Sequence, residues 1–131
     1  MSVEMISGAE GYENVVAALA SELGDGESAI CAASTMNVSY RGFRSQAGVA
    51  LLTDQRMLIA KPKTFGRARA NVALDLRDIV GCSAGPLMGV GPTWVVEFQA
   101  GETGTMYFLE PSASEEFERQ LRLAISATSR S

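Results

Sequence analysis

Residues 48–61 have the sequence GVALLTDQRMLIAK, in which two apolar runs flank the polar stretch 53–56. Two β-prone runs separated by a short polar segment are typical of a tight antiparallel hairpin. Asp54 is suited to bond its own backbone within the turn, and Arg56 is expected to begin the returning strand on the solvent side. The segment therefore predicts an antiparallel sheet.

Further strands are predicted on both sides of this hairpin. Residues 40–45 (YRGFRS) have the composition of a loop, and a glycine and proline loop is predicted over 85–92. Six or seven antiparallel strands at such short spacing predict a partly open barrel or a sandwich over about residues 27–109. Besides the hairpin, the segments with strand-like composition or alternation are 27–38, 68–76, 78–83, 93–99 and 105–109.

Two helices are predicted outside the barrel. An S-x-x-E capping spacing precedes apolar residues at helical intervals, which predicts a helix over about 9–23 that stops at Gly24. The same spacing precedes an amphipathic pattern over about 113–127, where a C-terminal helix is expected to cover the open end of the barrel. The predicted fold class is α+β, with residues 1–131 in one domain.

The composition excludes the commonest catalytic arrangements. The chain has 131 residues and no histidine, so Ser-His and Cys-His nucleophiles and the commonest zinc ligand are absent. Residues 81–85 (GCSAG) match a nucleophile elbow in letters, but a further strand rather than a helix is predicted after them. The carboxylates are scattered along the chain. We therefore expect no enzyme activity, no cofactor and no metal site.

The cysteine content and the N-terminal segment predict a cytoplasmic location. Cys31 and Cys82 lie in apolar stretches without metal-binding spacing, which is typical of small buried thiols. The first residues lack the basic and apolar regions of a signal peptide, and no apolar run approaches the ~20 residues of a membrane span.

The order of these segments resembles the bacterial pleckstrin-homology-like (PH-like) and GRAM-type domains. The most specific motif is the hairpin, where a glycine, an apolar strand, T-D/N-x-R and a second apolar strand recur; it matches at Gly48, Thr53, Asp54 and Arg56. The likeness covers about residues 20–127. It implies a PH-like barrel that binds lipid headgroups or protein segments at its loops, in a family with some ring-forming members.

A basic stretch in the middle of the chain is the sharpest functional feature. Residues 41–69 contain seven basic residues against Asp54 alone, although the net charge of the chain is −4. In a PH-like arrangement six of these residues are expected to form a positive rim that attracts anionic membrane. The alternative is a solvated surface that protects a sheet edge from aggregation. The six residues, which we call the basic rim, are Arg41, Arg44, Lys61, Lys63, Arg67 and Arg69.

The second functional hypothesis is a protein-interaction or self-assembly domain without a lipid ligand. Leu87, Met88 and Val90 lie in the predicted 85–92 loop, where they are either core residues or a partner contact. Nucleic acid is not an expected partner, because the sequence pI is about 4.8.

Overall fold

The computed structural model describes residues 3–6, 8–62, 68–86 and 93–129. Within them lie two α-helices, α1 (Glu13–Ala20) and α2 (Pro111–Ser129), and two 3₁₀-helices, Ala9–Tyr12 and Leu76–Asp78. The strands are β1 (Glu4–Met5), β2 (Ala29–Tyr40), β3 (Phe43–Thr53), β4 (Arg56–Ala60), β5 (Val72–Asp75), β6 (Gly81–Pro86), β7 (Trp94–Ala100) and β8 (Glu102–Phe108).

Seven of the strands form one antiparallel sheet. Their order is β5-β4-β3-β2-β8-β7-β6, and the short β1 pairs in parallel with β2. Because β2 pairs with both β3 and β8, it joins the two halves of the sheet. The predicted antiparallel sheet with one helix before it and one after it is confirmed.

The predicted hairpin joins β3 to β4, and its turn is held by a threonine. The Thr53 hydroxyl oxygen accepts hydrogen bonds from the backbone N–H groups of Gln55 (3.0 Å) and Arg56 (2.8 Å). The expectation for Asp54 was wrong, because its carboxylate accepts from the Ser28 N–H at 2.9 Å, outside the turn. Arg56 is not on an open solvent face either, since its guanidinium contacts the buried carboxylate of Glu27.

The loop predicted over 40–45 is instead a two-residue turn between β2 and β3. Tyr40 pairs with Phe43, and the two residues between them both have positive φ, 46° at Arg41 and 82° at Gly42. Two consecutive positive φ values match the twist of a hairpin, and glycine adopts one of them without steric cost. Arg41 therefore lies at the tip of a rigid turn.

The main core lies between the sheet and α2. Phe117 and Leu121 on α2 are fully buried against a cluster that includes Phe98 and Met106. Pro111 is the first residue of α2, a position where proline needs no hydrogen-bonded N–H. The helix packs mainly on β6, and it also contacts the 3₁₀-helix Leu76–Asp78. Burial of its apolar face holds the two edges of the sheet together.

A second core lies on the opposite face of β3 and β4, under α1. Leu19 and Val16 pack there against Leu51 and Leu58. Both faces of the sheet are therefore covered at residues 49–52 of β3 and 57–60 of β4, which explains why these segments are continuously apolar rather than alternating. The regular α-helix is shorter than the predicted 9–23, because residues 9–12 form a 3₁₀-helix and the N–H groups of Glu22 and Leu23 form tighter bonds to carbonyls three residues earlier.

Candidate functional site

The structure describes four members of the basic rim. Lys63 and Arg67 lie outside the described residues, as do the predicted partner contacts Leu87, Met88 and Val90. The positions of Arg41, Arg44, Lys61 and Arg69 show which basic side chains the fold brings together.

Arg44 and Lys61 line one open cleft, which we call the Arg44–Lys61 cleft. Arg44 is an exposed residue near the start of β3, and Lys61 directly follows β4. The register places Val49 opposite Ala60, so β4 ends partway along β3 and Lys61 emerges beside it. Tyr12, from the 3₁₀-helix before α1, also lines the cleft, whose volume is about 460 Å³.

The Arg44–Lys61 cleft is electropositive because its cations are not neutralised locally. None of the described residues that line it is acidic. Neither Arg44 nor Lys61 forms an ion pair within the described part of the chain. The Lys61 backbone is fixed, since its N–H donates to the Asn71 Oδ1 at 2.8 Å. The cleft therefore offers a guanidinium and an ammonium to an anion from solvent.

Arg41 is directed toward the β7–β8 turn instead. Its backbone N–H donates to the Glu102 Oε1 at 2.9 Å, and its guanidinium carbon lies 5.4 Å from the centroid of the Tyr40 ring. The Tyr40 hydroxyl donates to the Ala100 carbonyl at 2.5 Å, which ties the two turns together. The Glu102 carboxylate therefore lies beside the Arg41 backbone, although the Arg41 guanidinium forms no ion pair within the described part of the chain.

Arg69 lies in a different cleft, beside the C-terminal end of α1. That cleft is lined by Ser21, Glu22, Ala68 and Arg69. The Glu22 carboxylate accepts a hydrogen bond from the Ala70 N–H at 3.2 Å, which places a negative charge next to Arg69. Of the described members of the basic rim, only Arg44 and Lys61 share one acid-free cleft.

The comparisons with known proteins identify the fold and no family. No protein-family model and no curated protein sequence matches the chain. The crystal structure of the N-terminally truncated linker and DH/PH domains of p115-RhoGEF is similar over 91% of this chain, with a TM-score of 0.54. The fold is PH-like. The sequence identity is 10% and the match spans 35% of that longer chain, so the likeness concerns architecture alone.

One charged cluster in the PH-like fold was missed by the sequence-based prediction. The Glu27 carboxylate, just before β2, is 3% exposed and accepts from the Arg56 Nη2 at 2.9 Å and the Arg56 Nε at 3.0 Å. It also accepts from the Thr53 hydroxyl at 2.7 Å and the Gly24 N–H at 3.0 Å. Arg56, part of the basic stretch in the sequence, is therefore a structural residue rather than a ligand-binding one.

Hydrogen bonding controls the ionisation of this cluster. The Arg56 guanidinium lowers the pKa of Glu27 to about 2, against the opposing effect of burial. The same hydrogen bonds raise the pKa of Arg56. Glu27 ends the sequence G-D-G-E at residues 24–27, which indicates a turn, but nothing local identifies Arg56 as its partner, because Arg56 lies 29 positions away along the chain.

The described residues offer neither a reactive thiol nor a metal cluster. Burial raises the pKa of the Cys31 thiol to about 12, and burial also raises the pKa of Cys82. Within the described ranges, no group of three or more cysteine, aspartate or glutamate residues is placed to hold a metal ion. None of the helices described is long and apolar enough to cross a bilayer.

Proposed function

We propose that this chain is a non-enzymatic cytoplasmic binding module, of the bacterial PH-like or GRAM type, that recognises anionic membrane peripherally. The observation that carries the proposal is the Arg44–Lys61 cleft, where two cations face solvent without a neighbouring carboxylate among the described lining residues. The remaining members of the basic rim are further membrane contacts in this proposal. They are Arg41, Lys63, Arg67 and Arg69.

The expected strength of the interaction follows from electrostatics. A basic residue near an anionic surface contributes about 1 kcal/mol, so two residues account for about 30-fold in affinity. Arg41 and Arg69 contribute less in this proposal, because Glu102 and Glu22 lie beside them. Binding is therefore expected to be modest and to weaken as salt rises.

The direct test is co-sedimentation with phosphatidylcholine vesicles and with mixed phosphatidylcholine–phosphatidylserine vesicles, at low and moderate salt. The double variant Arg44→Gln/Lys61→Gln is expected to lose most of the salt-sensitive binding to anionic vesicles, by about 30-fold. The double variant Arg119→Gln/Arg122→Gln is the matched control, because it removes two positive charges from α2. It is expected to bind as the unchanged chain does.

Two results would overturn the membrane proposal. One is the absence of vesicle binding by the unchanged, folded chain at low salt. The other is an equal loss in the two double variants, which would mean that net charge alone decides binding and that the Arg44–Lys61 cleft has no special role.

Self-association of PH-like subunits is the second candidate function. Among the described strands β5 and β6 are outermost in the sheet, and Val80, directly before β6, is 82% exposed. The occupant in this proposal is a second copy of the chain, with Leu87, Met88 and Val90 as further contacts. Light scattering tests self-association. A mass above 13.9 kDa that returns to the monomer value in Val80→Asp or Leu87→Asp supports this function. A monomer at high protein concentration contradicts it.

A further inference from the structure

A β-bulge in β2 opens a second cleft, which we call the Asn37 cleft. Met36 pairs with Tyr107 on β8 and Ser39 pairs with Thr105, so two residues of β2 oppose one residue of β8. Asn37 lies in this bulge with a φ of 45° and is exposed. Asparagine is one of the few residues that tolerate this conformation, and bulges often direct side chains into sites.

The Asn37 cleft is large enough for a small molecule. Its volume is about 450 Å³, within the range of about 300–1,000 Å³ that is typical of small-molecule sites. Val38 also lines the cleft, but it is 1% exposed and adds almost no surface, so the apolar surface comes chiefly from the half-buried aromatic side chain of Tyr107. The walls combine an apolar surface with several polar groups.

Most polar side chains of the Asn37 cleft are uncommitted. Within the described part of the protein, the side chains of Asn37, Ser39, Gln46 and Thr105 have no hydrogen-bond partner. Other clefts differ: in the one between α2 and the β3–β4 turn, Asp75 is already paired with Arg77. Free amides and hydroxyls both donate and accept, which is the chemistry that recognises hydroxyl groups of a ligand.

One basic residue lies among the described residues that line the Asn37 cleft. Arg44 lines it, and no described lining residue is acidic. A guanidinium binds one phosphate or carboxylate group through paired N–H donors. We propose that the Asn37 cleft binds a hydroxyl-rich small anion of the sugar monophosphate class, with its phosphate on Arg44 and its hydroxyls on the neutral side chains. This site does not need Lys61 or a membrane.

The test is an amide NMR titration of the full 131-residue chain with glucose 6-phosphate. Glucose and inorganic phosphate, each alone, are the matched half-ligands. We expect saturable shifts at the backbone amides of Asn37, Ser39 and Thr105 with glucose 6-phosphate, and at least about tenfold weaker binding of each half-ligand.

Substitutions separate the contributing groups. Asn37→Gly keeps the positive φ but removes the amide, and it is expected to weaken binding about threefold to tenfold. Arg44→Gln is expected to weaken it at least about tenfold. Lys61→Gln is the control, because Lys61 does not line this cleft; it should leave glucose 6-phosphate binding unchanged while reducing vesicle binding.

Three outcomes would overturn the inference. They are no saturable shift at millimolar glucose 6-phosphate, shifts centred away from the Asn37 cleft, and binding of inorganic phosphate as tight as that of glucose 6-phosphate. Because the titration contains no lipid, its failure is separate from a failure of the membrane proposal.

Discussion

The Glu27 carboxylate and the Arg56 guanidinium form a bidentate pair, with Oε1 to Nη2 at 2.9 Å and Oε2 to Nε at 3.0 Å. The carboxylate is buried, whereas the Arg56 side chain is 32% exposed. The second Nη2 contact, to the Glu22 carbonyl at 3.2 Å, adds the end of α1 to the same cluster. The pair thus fastens the segment between α1 and β2 onto the β3–β4 hairpin.

Glu27→Gln is expected to lower the free energy of unfolding by on the order of 2 to 3 kcal/mol at neutral pH. The amide cannot accept both guanidinium bonds, and it leaves Arg56 without its counter-charge. Urea denaturation measures the change. Glu116→Gln is the control, because its pair with Arg119 lies on the exposed side of α2, and it should cost far less. Equal losses in the two variants would contradict the structural role of the Glu27–Arg56 pair.

The contribution of Glu27 to stability is expected to depend on pH. Its pKa in the folded chain, about 2, is below the ordinary value of 4.5, so folding favours the ionised form. The stabilisation is fully present above about pH 4.5 and is lost as pH falls toward about 2. Urea midpoints of the unchanged chain and of Glu27→Gln should therefore converge over this range.

Asp75 titrates in the same window, since the Arg77 side chain and backbone also hold its pKa at about 2. Its side chain is 37% exposed, so water screens that pair and its contribution is smaller. A constant difference between the unchanged chain and Glu27→Gln from neutral pH to pH 2 would show that ionisation of Glu27 is not the source of the stability.

The parts of the fold that could be predicted are those specified by residues close together in the sequence. The β3–β4 hairpin follows from a polar stretch between two apolar runs, and α2 follows from its amphipathic period. The turn at Arg41–Gly42 was predicted as a loop because its hairpin geometry depends on the flanking strands. The continuous burial of residues 49–52 and 57–60 was also predictable, because unbroken apolar runs indicate strands that are covered on both faces.

The candidate site was predictable only in part, because it depends on contacts between distant segments. Composition indicates a basic stretch, but it does not show that Arg56 is engaged by Glu27 or that Arg69 lies beside Glu22. Nothing in the sequence indicates that Tyr12 lines the Arg44–Lys61 cleft, because Tyr12 belongs to a 3₁₀-helix that is distant in sequence from Arg44 and Lys61. The β2 bulge at Asn37 likewise depends on the register of β8.

Docking of α1 on the outer face of the sheet makes a testable contribution to stability. Leu19 is fully buried against β3 and β4, so Leu19→Ala is expected to cost about 2–5 kcal/mol through lost burial and a cavity. Leu123→Ala on α2 is the control, because Leu123 is 54% exposed; its change should stay within about 0.5 kcal/mol. Urea denaturation compares them, and a small loss in Leu19→Ala would mean that α1 is not part of the cooperative unit.

Gly104 on β8 provides space for the ring of Phe98, its cross-strand partner on β7. A Cβ at Gly104 would overlap three ring atoms of Phe98, and the ring is fully buried beside Tyr40. Gly104→Ala is therefore expected to cost about 1–3 kcal/mol through overpacking. Gly85→Ala on β6 is the matched control, because its Cβ would meet no atom of the described residues within 4 Å.

A double-mutant cycle identifies the source of the Gly104→Ala loss. Phe98→Leu also destabilises the chain, but it removes the atoms that the new methyl group would overlap. The loss in Phe98→Leu/Gly104→Ala should therefore be smaller than the two single losses added together. Strict additivity would instead place the cost of Gly104→Ala in the backbone of β8, because overlap with the Phe98 ring would then contribute nothing.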